Sequence, residues 1–131
     1  TQRNLDDRGR AQARAMGERL RRAGLGDAAV YSSRWCRCLE TARLLALGPV
    51  TPVPALDSFF GRRTEGPART AALRAFLAEA GPAGPPLVLV THQVNITAIT
   101  GRGTRSGEGV VLHRGANGTL TEHATLPPPP V

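Results

Sequence analysis

Two strand-to-helix junctions constrain this chain more than anything else in it: VYSSRWCRCLETARLLA at residues 30–46 and LVLVTHQVN at residues 87–95. Each opens on a short apolar run, brief enough for a strand, and then changes to helical spacing. The polar residues fall where the run changes. In the first junction they are Ser32, Ser33 and Arg37; in the second, His92 stands just past its strand. A helix N-terminus carries free N–H groups and the positive end of the dipole, so both junctions suit an anion such as phosphate. An Arg for binding and a His for phosphoryl chemistry, at adjoining strand ends, point to a phosphate-handling enzyme.

The rest of the chain alternates in the same way. Residues 5–25 read as a helix, with Ala13, Met16, Gly17 and Leu20 on one face and Arg and Glu on the other. Asp6 or Asp7 can cap its start, and Gly24 or Gly26 can end it. Residues 28–32 form a short inner strand. Ser33 is the expected N-cap of the next helix, whose apolar stripe is Trp35, Cys38, Leu39, Ala42, Leu45 and Ala46. Gly48-Pro49 stops that helix. A strand over 50–56 is broken by Pro52 and Pro54, which places it near an edge or bends it early. Residues 57–67 read as a loop with Phe59 and Phe60 tucked against the body, and 68–80 as a third helix. After a turn-rich connector, residues 87–90 form an all-apolar strand expected to be buried on both faces. A short helix over 94–100 follows. Residues 109–113 and 119–123 make a hairpin over a 115–118 turn, and the Pro-rich residues 127–131 are expected to be an extended, disordered tail. The fold expected is α/β in three layers. A mostly parallel sheet carries helices on both faces, and a C-terminal antiparallel hairpin adds an edge. Residues 1–126 form the domain and 127–131 the tail.

Composition narrows the function classes. The 131 residues suffice for one domain with its own core. No apolar run approaches the roughly 20 residues of a membrane-spanning helix, and no basic-then-apolar leader is visible, so localisation is not read from the chain, with the cytoplasm as default. The net charge of +7 comes from 17 Arg and no Lys. Arg grips phosphate with a planar fork, but these residues are scattered among Ala, Gly and Pro, as a compositional bias would scatter them. With three Phe, one Trp and one Tyr there is little to stack on bases, so nucleic-acid binding is a minor reading. Cys36 and Cys38 are two apart on a helix and point to different faces, which disfavours a shared disulfide or metal.

Three ordered blocks, NLDDRGRAQARAMGERL, VYSSRWCRCLETARLL and LVLVTHQVN, make the chain resemble the histidine phosphatase superfamily, in its small phosphatase branch. The resemblance runs to about His123. It implies a phosphomonoester or phosphohistidine hydrolase that passes its phosphoryl group through a phosphohistidine to water, with no metal or organic cofactor. Carried onto this chain, Arg37 corresponds to a phosphate-binding Arg and His92 to the second pocket His. Asp57 stands near the family's acidic proton donor, with Glu108 as a rival. The family's nucleophilic His follows an Arg at the end of an N-terminal central strand. This sequence contains no Arg-His pair, so that strand and its nucleophile are expected to be absent, leaving a fragment inactive by itself. The short 57–80 region leaves no room for a large lid and favours an open-pocket phosphatase over a mutase. Its substrate would be a phosphorylated small molecule or phosphoprotein.

Each candidate has a plainer reading. His92 could be a core histidine satisfied by backbone, and Arg37 a solvated helix Arg. Asp57 is equally a turn former or an acid. Ser32 and Ser33 read as strand-end and capping residues, because no Gly-x-Ser-x-Gly elbow surrounds them. Gln93 and Asn95 could line a pocket or start a helix, and Asn4 could be a pocket residue or flank a helix. Three separated His and no paired carboxylates give no metal-ligand spacing. A non-catalytic phosphate-binding module built on Arg37 and His92 is the alternative to an enzyme.

Overall fold

The computed structural model describes residues 4–59, 61–79 and 84–131. Helix α1 (Asp7–Arg22) starts where an acidic cap can hold it: the Asp6 side chain accepts from the Gly9 amide. It ends before Gly24, whose φ of +89° suits glycine. Strand β1 (Ala29–Ser32) and helix α2 (Cys36–Leu44) follow. The helices α1 and α2 approach closely enough that a Cβ on Gly17 would stand 2.1 Å from the Leu45 carbonyl oxygen. The expected stripe of α2 is half right. Cys38, Ala42 and Leu45 are buried, whereas Ala46 is exposed in a left-handed turn, φ +54°, that closes the helix.

Strand β2 (Val50–Pro52) is shorter than expected because Pro54 opens a single 3-10 turn, Pro54–Leu56. A second 3-10 turn, Arg63–Glu65, leads into helix α3 (Gly66–Glu79), two residues earlier than the sequence suggests. Phe59 lies against Gly66, where a Cβ would come within 2.9 Å of its ring. Phe60, Ala80 and residues 81–83 lie outside the described residues. Strand β3 (Leu87–Val90), helix α4 (Gln93–Thr100) and the antiparallel pair β4 (Gly109–Arg114) and β5 (Leu120–Leu126) complete the order. Gly101, at φ +75°, ends α4.

The parallel sheet runs β2-β1-β3, with β1 in the middle and β2 on an edge as its prolines require. Both faces carry helices. On one, Leu20 of α1 and Ala42 and Leu45 beside α2 pack with Val30, and with Val88 and Val90 of β3. On the other, Leu73 and Leu77 of α3 and Ile99 of α4 pack with Leu56, Tyr31, Leu87 and Leu89. Even and odd positions of β3 thus feed opposite clusters, as the pleat demands. Burying aliphatic side chains of this size contributes about 1.5–3 kcal/mol each.

Three expectations are corrected. The four β3 side chains are only half-buried: apolar residues cover both faces, but among the described residues the strand is paired along one edge alone, with β1. The hairpin does not extend that sheet. It forms a ladder of its own, anchored by Leu126 on the first cluster and Leu120 on the second. The tail is held in place: Arg19 donates to the Pro127 carbonyl at 2.7 Å, and Pro129 is buried. Proline removes backbone donors but leaves carbonyls, and an Arg on α1 takes one of them.

Candidate functional site

The register of β1 against β3 pairs Ser32 with Val90, and the Ser33 amide donates to the Val90 carbonyl at 2.9 Å. The two junctions therefore emerge side by side at the same end of the sheet. Ser32 is buried and turns its hydroxyl to the Ser33 carbonyl at 2.8 Å. Ser33 does not cap α2. The cap is Trp35, which makes no side-chain capping bond. The fully buried Ser33 hydroxyl instead lies 2.8 Å from His92 Nε2 and 3.2 Å from Asp57 Oδ1, and it accepts from the Trp35 amide at 3.2 Å.

Asp57 is buried where the 3-10 turn after β2 brings it beneath the β1 junction. Its Oδ1 accepts from the Arg34 amide at 2.8 Å, and its Oδ2 accepts from Arg34 Nε at 2.8 Å and pairs with Nη2 at 2.6 Å. Burial alone would raise this carboxyl, but the Arg34 bonds and charge, with the Ser33 hydroxyl, outweigh it and hold it below its ordinary value. Asn95 clamps the same turn from the other side. Its Nδ2 donates to the Leu56 and Asp57 carbonyls at 2.9 and 3.0 Å and to Thr91 Oγ1 at 2.9 Å, while Thr91 Oγ1 donates to the Leu56 carbonyl at 2.6 Å. Asp57 is thus bound to one junction by its side chain and to the other by its backbone.

His92 is buried as the cap residue of α4. Burial first, then the nearby Arg37 charge, push its pKa down to about 4, with Asp57 pulling the other way. The imidazole is therefore neutral at pH 7. Trp35 meets its ring edge-on at 4.6 Å, and the Arg37 guanidinium lies 5.7 Å over Trp35. Arg37 is exposed and makes no ion pair among the described residues. The Cys38 sulfur lies 3.6 Å from His92 Nε2, and burial pushes its thiol up, so it is a quiet packing group.

The structure thus brings Arg37, His92 and Asp57 together around Ser33 and Trp35. Gln93 is the exposed first residue of α4, with its amide directed near Gly103. Glu108 belongs elsewhere, accepting from the Arg105 amide at 2.8 Å at the foot of β4. Asn4 is exposed ahead of the α1 cap, and His113 and His123 are exposed on the hairpin. Among the described residues no group of three or more His, Cys, Asp or Glu could hold a metal. A shallow groove involving Phe59, Pro67, Ala71, Arg74 and Ala98 lies between α3 and α4 and shares no residue with this group. Sequence reasoning missed Arg34, whose role depends on a partner 23 residues away. It also missed the linking role of Ser33. The available signal was a lone Asp after a Pro-rich strand, which once buried needs a cation.

Comparison with known proteins identifies the family and the fold. The histidine phosphatase superfamily (branch 1) matches residues 1–79, more than half of the chain. Among solved structures, the chain is similar to the protein histidine phosphatase SixA complexed with tungstate. That match has a TM-score of 0.71 at 17% identity and covers 97% of this chain and 85% of that one. At such identity the likeness concerns the fold. No curated protein gives a significant match. With a family model matching more than half of its length, this chain belongs to the histidine phosphatase superfamily.

Proposed function

We propose that the chain carries the phosphate-holding half of a phosphomonoester or phosphohistidine hydrolase. In this reading Arg37 binds the phosphoryl oxygens, with the first turn of α2 behind it. His92 faces the group from the second junction, and a second histidine takes the phosphoryl group and passes it to water. The observation that carries the reading is the Arg37 guanidinium, exposed and without a carboxylate partner among the described residues, poised over Trp35 beside a buried His92. Tungstate is a tetrahedral oxyanion like phosphate, so a similar fold found with tungstate supports an oxyanion as the ligand class. That neighbour is a protein histidine phosphatase, which makes a phosphohistidine-bearing protein one substrate class to test.

The 131 residues contain no Arg-His pair, and His113 and His123 lie exposed on the hairpin. The nucleophile in this reading comes from a strand that seats along the open edge of β3. Asp57 enters as the anion that holds Arg34 and Ser33. An environment that favours its charged form runs against service as a proton donor at neutral pH. Gln93 stays a candidate for the rim of the pocket, at the start of α4. The alternative is a phosphate-binding module that keeps Arg37 and His92 and performs no transfer.

The test is to join an apolar strand ending in Arg-His ahead of residue 1 and to assay a phosphomonoester and a phosphohistidine peptide. Turnover of either, lost on Arg37→Ala, is the expected result. Saturable phosphate binding with no turnover in the extended protein would support the binding module instead.

A further inference from the structure

The hydroxyl of Ser33 has one proton and three close polar neighbours, with the Cys38 thiol as a fourth, weaker one. The Trp35 amide is a donor, so it takes one lone pair of Oγ. Asp57 Oδ1 is an acceptor only, since the carboxyl is held in its charged form. His92 Nε2, at 2.8 Å, can act as either. One assignment gives every lone pair a proton to face, with the Cys38 thiol turned to the Thr91 carbonyl. Ser33 donates to Asp57, accepts from Trp35, and accepts from a proton on His92 Nε2. The opposite choice, Ser33 donating to His92, would leave a hydroxyl lone pair facing a buried carboxylate oxygen at 3.2 Å. Arg34 fixes the direction of the whole chain, because its amide and guanidinium hold both Asp57 oxygens.

The other ring nitrogen is then left over. Among the described residues Asn95 Oδ1 is the buried side-chain atom without a hydrogen-bond partner. His92 Nδ1 takes no hydrogen bond there either and is not fully enclosed, so it is the ring nitrogen left open to a ligand.

We propose that Ser33 is a positioning residue that, oriented by Asp57 and Arg34, keeps the His92 proton on Nε2 and presents Nδ1 as the nitrogen that meets the substrate. This rests on the phosphatase reading for its meaning, though not for its test. Nδ1 in that state is an acceptor, suited to the hydroxyl proton of a singly protonated phosphoryl group. Ser33 itself is too deeply buried to touch substrate. The fixed tautomer is set by the bond the distal nitrogen makes, a general property of imidazoles in sites of this kind.

The experiment is a long-range ¹H–¹⁵N spectrum of the 131-residue protein with ¹⁵N-labelled histidine, which reads the protonated nitrogen of each ring. Only three histidines are present, and His113→Gln and His123→Gln assign the remaining signal. At pH 7 His92 is expected with its proton on Nε2. Ser33→Ala is expected to lose that preference, giving a mixture or the Nδ1–H form, and Ser33→Thr, which keeps the hydroxyl, to retain it. A wild-type His92 carrying its proton on Nδ1 overturns the proposal, and so does an unchanged Nε2–H form in folded Ser33→Ala. Should Ser33→Ala not fold, the wild-type spectrum decides. The readout needs no turnover, so the expected tautomer together with an inactive strand-extended protein would count against the phosphatase reading alone.

Discussion

The two junctions are built alike and finish differently. Each is a strand of four residues that runs into a helix without a side-chain cap. Yet at β1–α2 the charged groups, Arg34 and Arg37, are exposed, whereas at β3–α4 the polar groups, His92 and Asn95, are buried. One side supplies charge that water has not been stripped from, and the other supplies a neutral ring in a fixed orientation. Between them Asp57 is bound to both, through its carboxylate on one side and its carbonyl on the other. In the proposed site, the Arg37 charge that would bind an oxyanion stays exposed at little cost, while the ring that would meet the phosphoryl group in one orientation is packed.

Breaking either side of the pair should give the largest effect. In the strand-extended protein, Arg37→Ala and His92→Ala are each expected to lower kcat/KM by about 10²–10³-fold, the usual cost of losing one group that stabilises a transferring charge. Steady-state assays check this, and two near-normal variants would dissolve the comparison.

The burial of His92 predicts a stability difference that the exposed junction does not share. Its folded pKa, about 4, lies below the ordinary 6.5, so the unfolded chain binds its proton first as the pH falls. Stability is full above pH 6.5 and declines between there and about pH 4, by up to roughly 3 kcal/mol. Asp57, whose carboxyl is also held low, adds a further loss on the acid side of its ordinary value. Urea midpoints across this range should therefore slope downward with acid, and His92→Gln should flatten the part above pH 4. An equal slope in that variant would place the titration elsewhere.

A smaller effect should follow from Arg34→Ala. The Asp57 carboxylate keeps the Arg34 amide and Ser33 but loses its cation, and the half-exposed Arg34 side chain limits the cost to about 1–2 kcal/mol. Denaturant unfolding measures this, and a change under 0.5 kcal/mol would mean that the two junctions are not coupled through Asp57. Smallest of all, Gln93→Ala at the exposed start of α4 should alter stability by no more than about 0.5 kcal/mol.

Much of this was legible in the sequence because it is local. The periodicity of Ala13, Met16, Gly17 and Leu20, the Asp6 cap and the prolines around β2 each act over a few residues, and the structure follows them. The placement of Arg37 and His92 at the two junctions was legible as well, since a junction is itself a local feature. What could not be read depends on partners far along the chain. Ser33 abandons the capping role its residue type favours because His92, 59 residues on, stands within hydrogen-bond reach. The tail reads as free because its partner, Arg19, is 108 residues away. For β3 the composition spoke about faces, while its half-exposure comes from an edge.

The central claim, that the junctions form one oxyanion site, is tested most directly through Trp35. It is the one tryptophan of the chain, and it lies between Arg37 and His92. Its fluorescence should change saturably as sodium tungstate is titrated against sodium chloride of equal ionic strength, and Arg37→Ala should abolish that change. Identical titration curves for the wild type and Arg37→Ala would contradict the claim.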